Sequence, residues 1–180
     1  MTGGETAEPA ETPASRPIVF REPTVADGHR IRALVEATGA LEPNSTYCYL
    51  LLSSHFAGTS GVATRGGDLV GAVLAYTKPT AAETLFVWQV GVHPAARGLG
   101  IGRRLLHHVL DRCAQVRFLE ATVTSDNEAS WALFRAVARD RGASLTRGAG
   151  FERAHFGGDT HEPEALLRIG PLAATTTAKE

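Results

Sequence analysis

The stretch from Val90 to Leu106, VGVHPAARGLGIGRRLL, limits what this chain can fold into more than any other segment. Before it, the run from Leu85 to Val92 is almost continuously apolar, as a strand buried on both faces would be. A short turn leads into Arg97-Gly98-Leu99-Gly100-Ile101-Gly102. The following segment carries apolar residues at Leu105, Leu106, Val109 and Leu110, the spacing of an amphipathic helix. Strand, glycine loop and helix in this order leave bare backbone where a helix presents its unpaired first-turn N–H groups. Such a terminus carries roughly half a positive charge and suits a phosphate or pyrophosphate. A phosphate-bearing ligand is expected at this loop.

Spacing removes two common ligands of that kind. Gly98-x-Gly100-x-Gly102 lacks the third interval of G-x-G-x-x-G. The acidic ribose partner expected about 20 residues on would be Glu120, which stands in an apolar run. No lysine followed by serine or threonine closes the loop, which argues against a nucleoside triphosphate.

Length and charge bound the rest. The chain has 180 residues, enough for one domain burying roughly 70% of its unfolded surface. Its net charge is −1, with acidic and basic residues intermixed, so there is no electrostatic case for nucleic acid or a membrane surface. No apolar run approaches the roughly 18 residues of a membrane span, and no apolar signal core opens the chain. Its two cysteines, Cys48 and Cys113, have neither disulfide-framework nor metal-ligand spacing, and read as reduced core residues of a cytoplasmic protein. Residues 1–15 are rich in Pro, Glu, Thr and Ala and hold no large apolar side chain, so a disordered tail is expected there, with a second at 173–180. Residues 16–172 are read as the domain.

The periodicities predict a first strand at Pro17–Arg21. A helix capped by Thr24 runs to about Thr38, stopped by Gly39, and a second covers Ser45 to His55. Gly61–Arg65 and Leu69–Tyr76 form a hairpin around Gly66-Gly67-Asp68, and Leu85–Val92 is the central strand. The loop helix spans about Gly100–Gln115, followed by a strand at Phe118–Thr124. A helix over Asn127–Arg141, capped by Asp126 or Asn127, and strands near Ala149–Phe156 and Leu166–Ile169 complete the body. The order β-α-α-β-β-β-α-β-α-β-β argues for a mixed α/β fold in three layers.

Arg97-x-x-Gly100-x-Gly102, after a Val-x-Val-x-Pro strand end, resembles the pyrophosphate loop of the GNAT acyl-CoA N-acetyltransferases. The resemblance implies a mixed central sheet of about seven strands flanked by helices. It implies acetyl-CoA as co-substrate and no metal. The acyl-CoA would lie against Val90, Gly91, Val92, Arg97, Gly98, Leu99, Gly100, Ile101 and Gly102. Asn127 would face the pantetheine arm through a gap between two parallel strands, and Phe134 would stand beside it. Many family members carry a tyrosine at that last position, which protonates the departing thiolate. Phe134 has no proton to give, so the acid is another residue or solvent.

Three further segments, LEPNSTYCY at 41–49, FVWQV at 86–90 and HEPE at 161–164, resemble those of L-2,4-diaminobutyrate acetyltransferases, the GNAT enzymes of ectoine synthesis. That likeness spans most of residues 17–171 and implies L-2,4-diaminobutyrate as acceptor and a homodimer. Its first segment usually begins Leu-Asp, whereas this chain has Leu41-Glu42. The candidate acceptor-site residues are Glu42, Tyr47, Trp88, His161 and Glu162, with Glu164 beside them. Diaminobutyrate carries two ammonium groups at neutral pH, for which the glutamates are anionic partners and Trp88 an aromatic face. A carboxylate or His161 would take the amine proton, and a backbone N–H of Gln89–Val92 would polarise the thioester carbonyl. Two alternatives stand beside this reading. One is a GNAT enzyme for another diamine, amino acid or protein amine. The other is an inactive acyl-CoA-binding module, which Phe134 keeps open.

Overall fold

The computed structural model describes residues 16–157 and 161–173. The expected tails, 1–15 and all but Ala173 of 173–180, lie outside the described residues.

A seven-stranded sheet in the order β1-β2-β3-β4-β5-β7-β6 organises the chain. Its strands are β1 (Ile18–Arg21), β2 (Gly61–Arg65), β3 (Asp68–Lys78), β4 (Ala81–Val92), β5 (Phe118–Thr124), β6 (Leu145–Phe151) and β7 (Glu164–Ile169). Every pairing is antiparallel except β4 with β5. Gly66 and Gly67, at φ +58° and +93°, form a two-residue turn between β2 and β3. Both positions need the positive φ that only glycine adopts freely, which makes the tight hairpin possible.

Helices cover both faces. On one side α3 (Ile101–Arg112) and α4 (Glu128–Asp140) pack Leu105, Leu106, Val109, Phe134 and Val137 against Leu85, Val87, Leu119, Ala121, Leu167 and Ile169. On the other, α1 (Gly28–Thr38) and α2 (Thr46–His55) set Ile31, Leu34, Val35, Tyr49 and Leu52 against Val62, Ala72 and Leu74. These are the three expected layers, with one apolar seam on each side of the sheet.

Several boundaries differ from the sequence reading. Thr24 caps a 3-10 turn, Val25–Asp27, ahead of α1. Helix α3 ends at Arg112 rather than Gln115, because the Cys113 N–H closes onto Val109 O and Leu110 O while its ψ of 62° leaves the helical region. Strand β6 starts at Leu145, not near Ala149, and β7 starts at Glu164. Pairing with β7 decides the first of these, since β6 is an edge strand of mostly exposed residues with no alternation to read. Cys113 is buried but Cys48 only half-buried; both are free thiols whose pKa values burial pushes up. His107 bridges to Asp140 and Arg141, and among the described residues the buried Nε2 of His108 has no hydrogen-bond partner.

Asp27 ties β1 to the start of α1. Its carboxylate accepts from Arg21 at 2.7 and 2.9 Å and from the Thr24 N–H at 2.8 Å. The Arg21 guanidinium, opposed by burial and helped by Thr24, lowers its pKa from 3.8 to about 2. A folded-state pKa below the unfolded value contributes stability that is complete above the unfolded pKa and lost as the pH falls. The stability gap between wild type and Asp27→Asn is therefore expected to be constant above about pH 5 and to close as the pH drops from 3.8 toward 2. Thermal melts by circular dichroism across that range measure it; a gap independent of pH would contradict the assignment.

Candidate active site

Strands β4 and β5 run together only from Thr84↔Phe118 to Phe86↔Glu120. Two pairings pull them apart beyond that point. Along β3, Ala75 pairs with Val87 but Leu74 pairs with Gln89, so Trp88 is an extra residue and β4 bulges. A bulge bends its strand and sharpens the local twist. It also changes which residues face α3, from Leu85 and Val87 before it to Val90 and Val92 after it. Meanwhile β5 stays paired with β7 as far as Thr124↔Glu164. The opening between the strands is a cleft of about 730 Å³ lined by Val87–Val90 and Ala121–Thr124. A second cleft, of about 470 Å³, lies around the start of α3. Val90, Asn127 and Ser130 border both, so the two clefts adjoin.

The loop before α3 has the form a phosphate cradle needs. Gly98 and Gly100 adopt φ +80° and +66°, and a Cβ on either would meet open space. Glycine is required there for backbone conformation rather than for room. The first intrahelical bond is Arg104 N–H to Gly100 O at 3.0 Å, so the amides of Ile101, Gly102 and Arg103 precede the helical ladder. Val90, Gly91, Val92, Arg97, Gly98, Gly100, Ile101, Gly102 and Asn127 line this cleft, while Leu99 sits outside it and is exposed. Arg97 also donates to Thr38 O at 2.7 Å, which fastens the loop to the end of α1. Arg103 reaches the same cleft with its guanidinium paired to Asp140, whereas Arg104 lies over the Phe20 ring.

At the junction, Asn127 caps α4 by accepting the Ser130 N–H at 3.0 Å. The Trp131 indole N–H donates to Thr124 O at 3.0 Å and holds α4 against the end of β5. Capping and cleft-lining thus coexist at Asn127. Phe134 borders the larger cleft and is only 3% exposed.

Glu42, Trp88, His161 and Glu164 come together around the larger cleft from three separate segments. The His161 ring stacks on Phe156 at 3.8 Å, and its Nε2 stands 3.8 Å from Glu164 Oε1. Tyr47 borders neither cleft and is 68% exposed on α2. Glu162 is also outside, its carboxylate taking Arg153 at 2.8 Å. Sequence reasoning missed the aromatic wall of Tyr76, Phe86, Phe151 and Phe156. Tyr76 and Phe86 are direct cross-strand partners, a relation no local pattern reveals.

Glu120, at the foot of the opening, has a different task from ribose binding. It is 2% exposed and holds Lys78 at 2.7 Å together with Arg168. Burial pushes its pKa up, but the hydrogen bonds from Lys78 and Arg168 outweigh this and leave it below the ordinary value. The carboxylate stays ionised and clamps β3, β5 and β7 together.

A helix N-terminus suited to a phosphate therefore stands beside a carboxylate- and aromatic-lined chamber suited to an ammonium group. Residues 30–138 match the model of the Acetyltransferase (GNAT) family. An L-2,4-diaminobutyric acid acetyltransferase from Bordetella parapertussis is 48% identical over 156 residues, covering 85% of this chain and 84% of the relative. Another, from Chromohalobacter salexigens, is 46% identical over 162 residues, covering 88% and 84%. The solved structure of diaminobutyrate acetyltransferase EctA from Paenibacillus lautus, in complex with L-2,4-diaminobutyric acid and coenzyme A, superposes with a TM-score of 0.84. It is 40% identical and covers 87% of this chain and 96% of its own. A chain of the NatC complex bound to Gag peptide and CoA superposes at 0.68 with 18% identity, a likeness of fold alone. The chain belongs to the L-2,4-diaminobutyric acid acetyltransferases of the GNAT family.

Proposed function

We propose that this chain transfers the acetyl group of acetyl-CoA to the 4-amino group of L-2,4-diaminobutyrate, giving N4-acetyl-L-2,4-diaminobutyrate for ectoine synthesis. The observation that carries the reading is that the two clefts adjoin at Val90, Asn127 and Ser130, where a thioester in one would stand next to an amine in the other. The pyrophosphate lies on the first amides of α3, and the acyl-pantetheine arm runs between β4 and β5. Glu42 and Glu164 take the ammonium groups, with Trp88 presenting its ring. The 4-ammonium gives up a proton to His161 or a carboxylate, directly or through water. Its lone pair attacks the carbonyl carbon, forming the C–N bond, while a β4 amide near the bulge stabilises the developing oxyanion. Collapse breaks the C–S bond, the nitrogen releases its second proton to solvent to leave the neutral amide, and the CoA thiolate takes a proton from solvent, since Phe134 has none.

Steady-state assays with diaminobutyrate, ornithine, lysine and a peptide amine test the acceptor. Diaminobutyrate is expected to give the highest kcat/KM; equal values would sink the assignment. A chain without thiol release from acetyl-CoA in the presence of diaminobutyrate would instead be a binding module, the reading that Phe134 keeps open.

The phosphate end has its own test. A β-branched side chain at the left-handed Gly100 strains the N-cap of α3. Gly100→Val is expected to raise KM for acetyl-CoA about tenfold or more and KM for diaminobutyrate by less than about threefold. Arg97→Ala should act in the same direction by freeing the loop from Thr38. Unchanged acetyl-CoA kinetics in both variants would remove the cradle.

The proposal includes a single acetyltransferase domain over residues 16–172 and a homodimer, for which sedimentation equilibrium is the measurement. Among the described residues no helix is long and apolar enough to cross a membrane. We place the protein in the cytoplasm, where its free thiols would stay reduced.

A further inference from the structure

Behind the larger cleft lies a chain of hydrogen bonds that the reaction itself does not use. The Asn44 N–H donates to the Tyr49 phenol oxygen at 3.0 Å. Tyr49 donates to Gln89 Oε1 at 3.2 Å, and Gln89 Nε2 donates to Glu42 O at 3.0 Å. The direction of every link follows from its ends. A backbone N–H only donates, so the phenol oxygen accepts there and its one hydrogen goes to Gln89. That turns the Gln89 amide nitrogen toward the Glu42 carbonyl, which only accepts. No link is mismatched.

This arrangement costs something that core packing alone would not require. Tyr49 is 0% exposed and Gln89 is 9% exposed, at the bulge in the otherwise apolar run Leu85–Val92. A buried phenol and amide are tolerated only when their hydrogen bonds are made. Here they are all spent on one short segment, Glu42-Pro43-Asn44. Gln89 holds its first residue, Tyr49 holds its last, and the ring of Pro43 fixes φ between them. All three residues of the segment border the cleft, whereas Tyr49 does not. The segment is thus fixed at both ends to β4, the strand that bears the bulge and Trp88.

We infer that Tyr49 and Gln89 are positioning residues that hold Glu42 at a set distance from the β4 bulge, and so select the length of the diamine acceptor. The inference rests on the acetyltransferase reading above, in which Glu42 takes one ammonium group while the other nitrogen reaches the thioester. With both ends of the acceptor located, one extra methylene no longer fits the span. Discrimination by a single methylene runs from about 10- to 200-fold in a rigid site. A segment released at one end would adapt and lose part of it.

The test compares diaminobutyrate with ornithine, one methylene longer, for wild type, Tyr49→Phe and Gln89→Met. Leu52→Ala, which trims the same apolar cluster without touching the hydrogen bonds, is the stability control. For Tyr49→Phe, kcat/KM for diaminobutyrate is expected to fall about tenfold, that for ornithine to change less than about twofold, and KM for acetyl-CoA to stay within about twofold. Gln89→Met breaks the chain from the other side and should lower the diaminobutyrate-to-ornithine ratio in the same way. Leu52→Ala should lower the melting temperature and leave the ratio alone. If both acceptors lose rate by one common factor in Tyr49→Phe and Gln89→Met, or if Leu52→Ala shifts the ratio equally, the positioning role is overturned while the acceptor assignment stands. If wild type itself does not prefer diaminobutyrate, both fall together.

Discussion

Glu42→Ala is expected to raise KM for L-2,4-diaminobutyrate about 30-fold while KM for acetyl-CoA stays within about twofold. A hydrogen bond to a charged group contributes about 1.5–3 kcal/mol, or roughly 10- to 150-fold in affinity. The loop itself should survive the change, because Gln89 holds Glu42 through its main-chain carbonyl and Tyr49 holds Asn44 through its N–H. Only the side chain is lost. Trp88→Ala should act in the same direction but less strongly, since a cation over an indole contributes about 0.5–2 kcal/mol. Glu42→Gln separates charge from shape and should recover little of the loss if the carboxylate's charge is what matters. A parallel rise in KM for acetyl-CoA would move Glu42 out of the acceptor site.

The second large effect is expected from a backbone contact rather than from a charge. Between Gly148↔Leu166 and Phe151↔Glu164, β6 advances three residues while β7 advances two, so β6 bulges around Gly150. A Cβ on Gly150 would lie 2.2 Å from Glu164 O and 2.7 Å from Leu166 N, both backbone atoms that no side-chain rotation can move aside. Gly150→Ala should therefore cost about 3 kcal/mol. That corresponds to a fall in Tm of roughly 6–12 °C for a domain of this size. Because the displaced backbone carries Glu164 and leads back to His161, kcat/KM for diaminobutyrate should fall more than about tenfold. Gly148→Ala is the matched control: a Cβ there meets nothing within 4 Å, and little change is expected. Similar losses at both glycines would show that strand flexibility, not close approach to β7, is what Gly150 supplies.

Part of this site was legible because its chemistry is local. Gly98 and Gly100 stand where the backbone needs positive φ, directly ahead of an amphipathic helix, and both the loop and its ligand class follow from neighbours in the chain. Asn127 was readable as a helix cap for the same reason. Trp88 and Glu42 were legible only as members of unusual segments. No local pattern says that Trp88 is an extra residue against β3, because the unbroken run of apolar side chains hides the point where the inward face changes.

Other placements were not legible because the partners are distant. Tyr47 and Glu162 sit within a few residues of groups that border the cleft, yet helix phase turns one outward and Arg153 holds the other. Glu120 has the sequence spacing of a ribose ligand but is buried between Lys78 and Arg168, 42 and 48 residues away. The Tyr49 ring packs in the core, but its hydroxyl finds its partner, Gln89, 40 residues away.

By itself, the sequence determined the element order, the phosphate-binding loop and the family, because glycine conformation, helix capping and apolar periodicity act over a few residues. Only the tertiary structure decided where β4 and β5 part, which of the acidic residues face the opening, and what holds Glu42 in place. Each of these depends on a register or a hydrogen bond between segments that meet only when the sheet has formed.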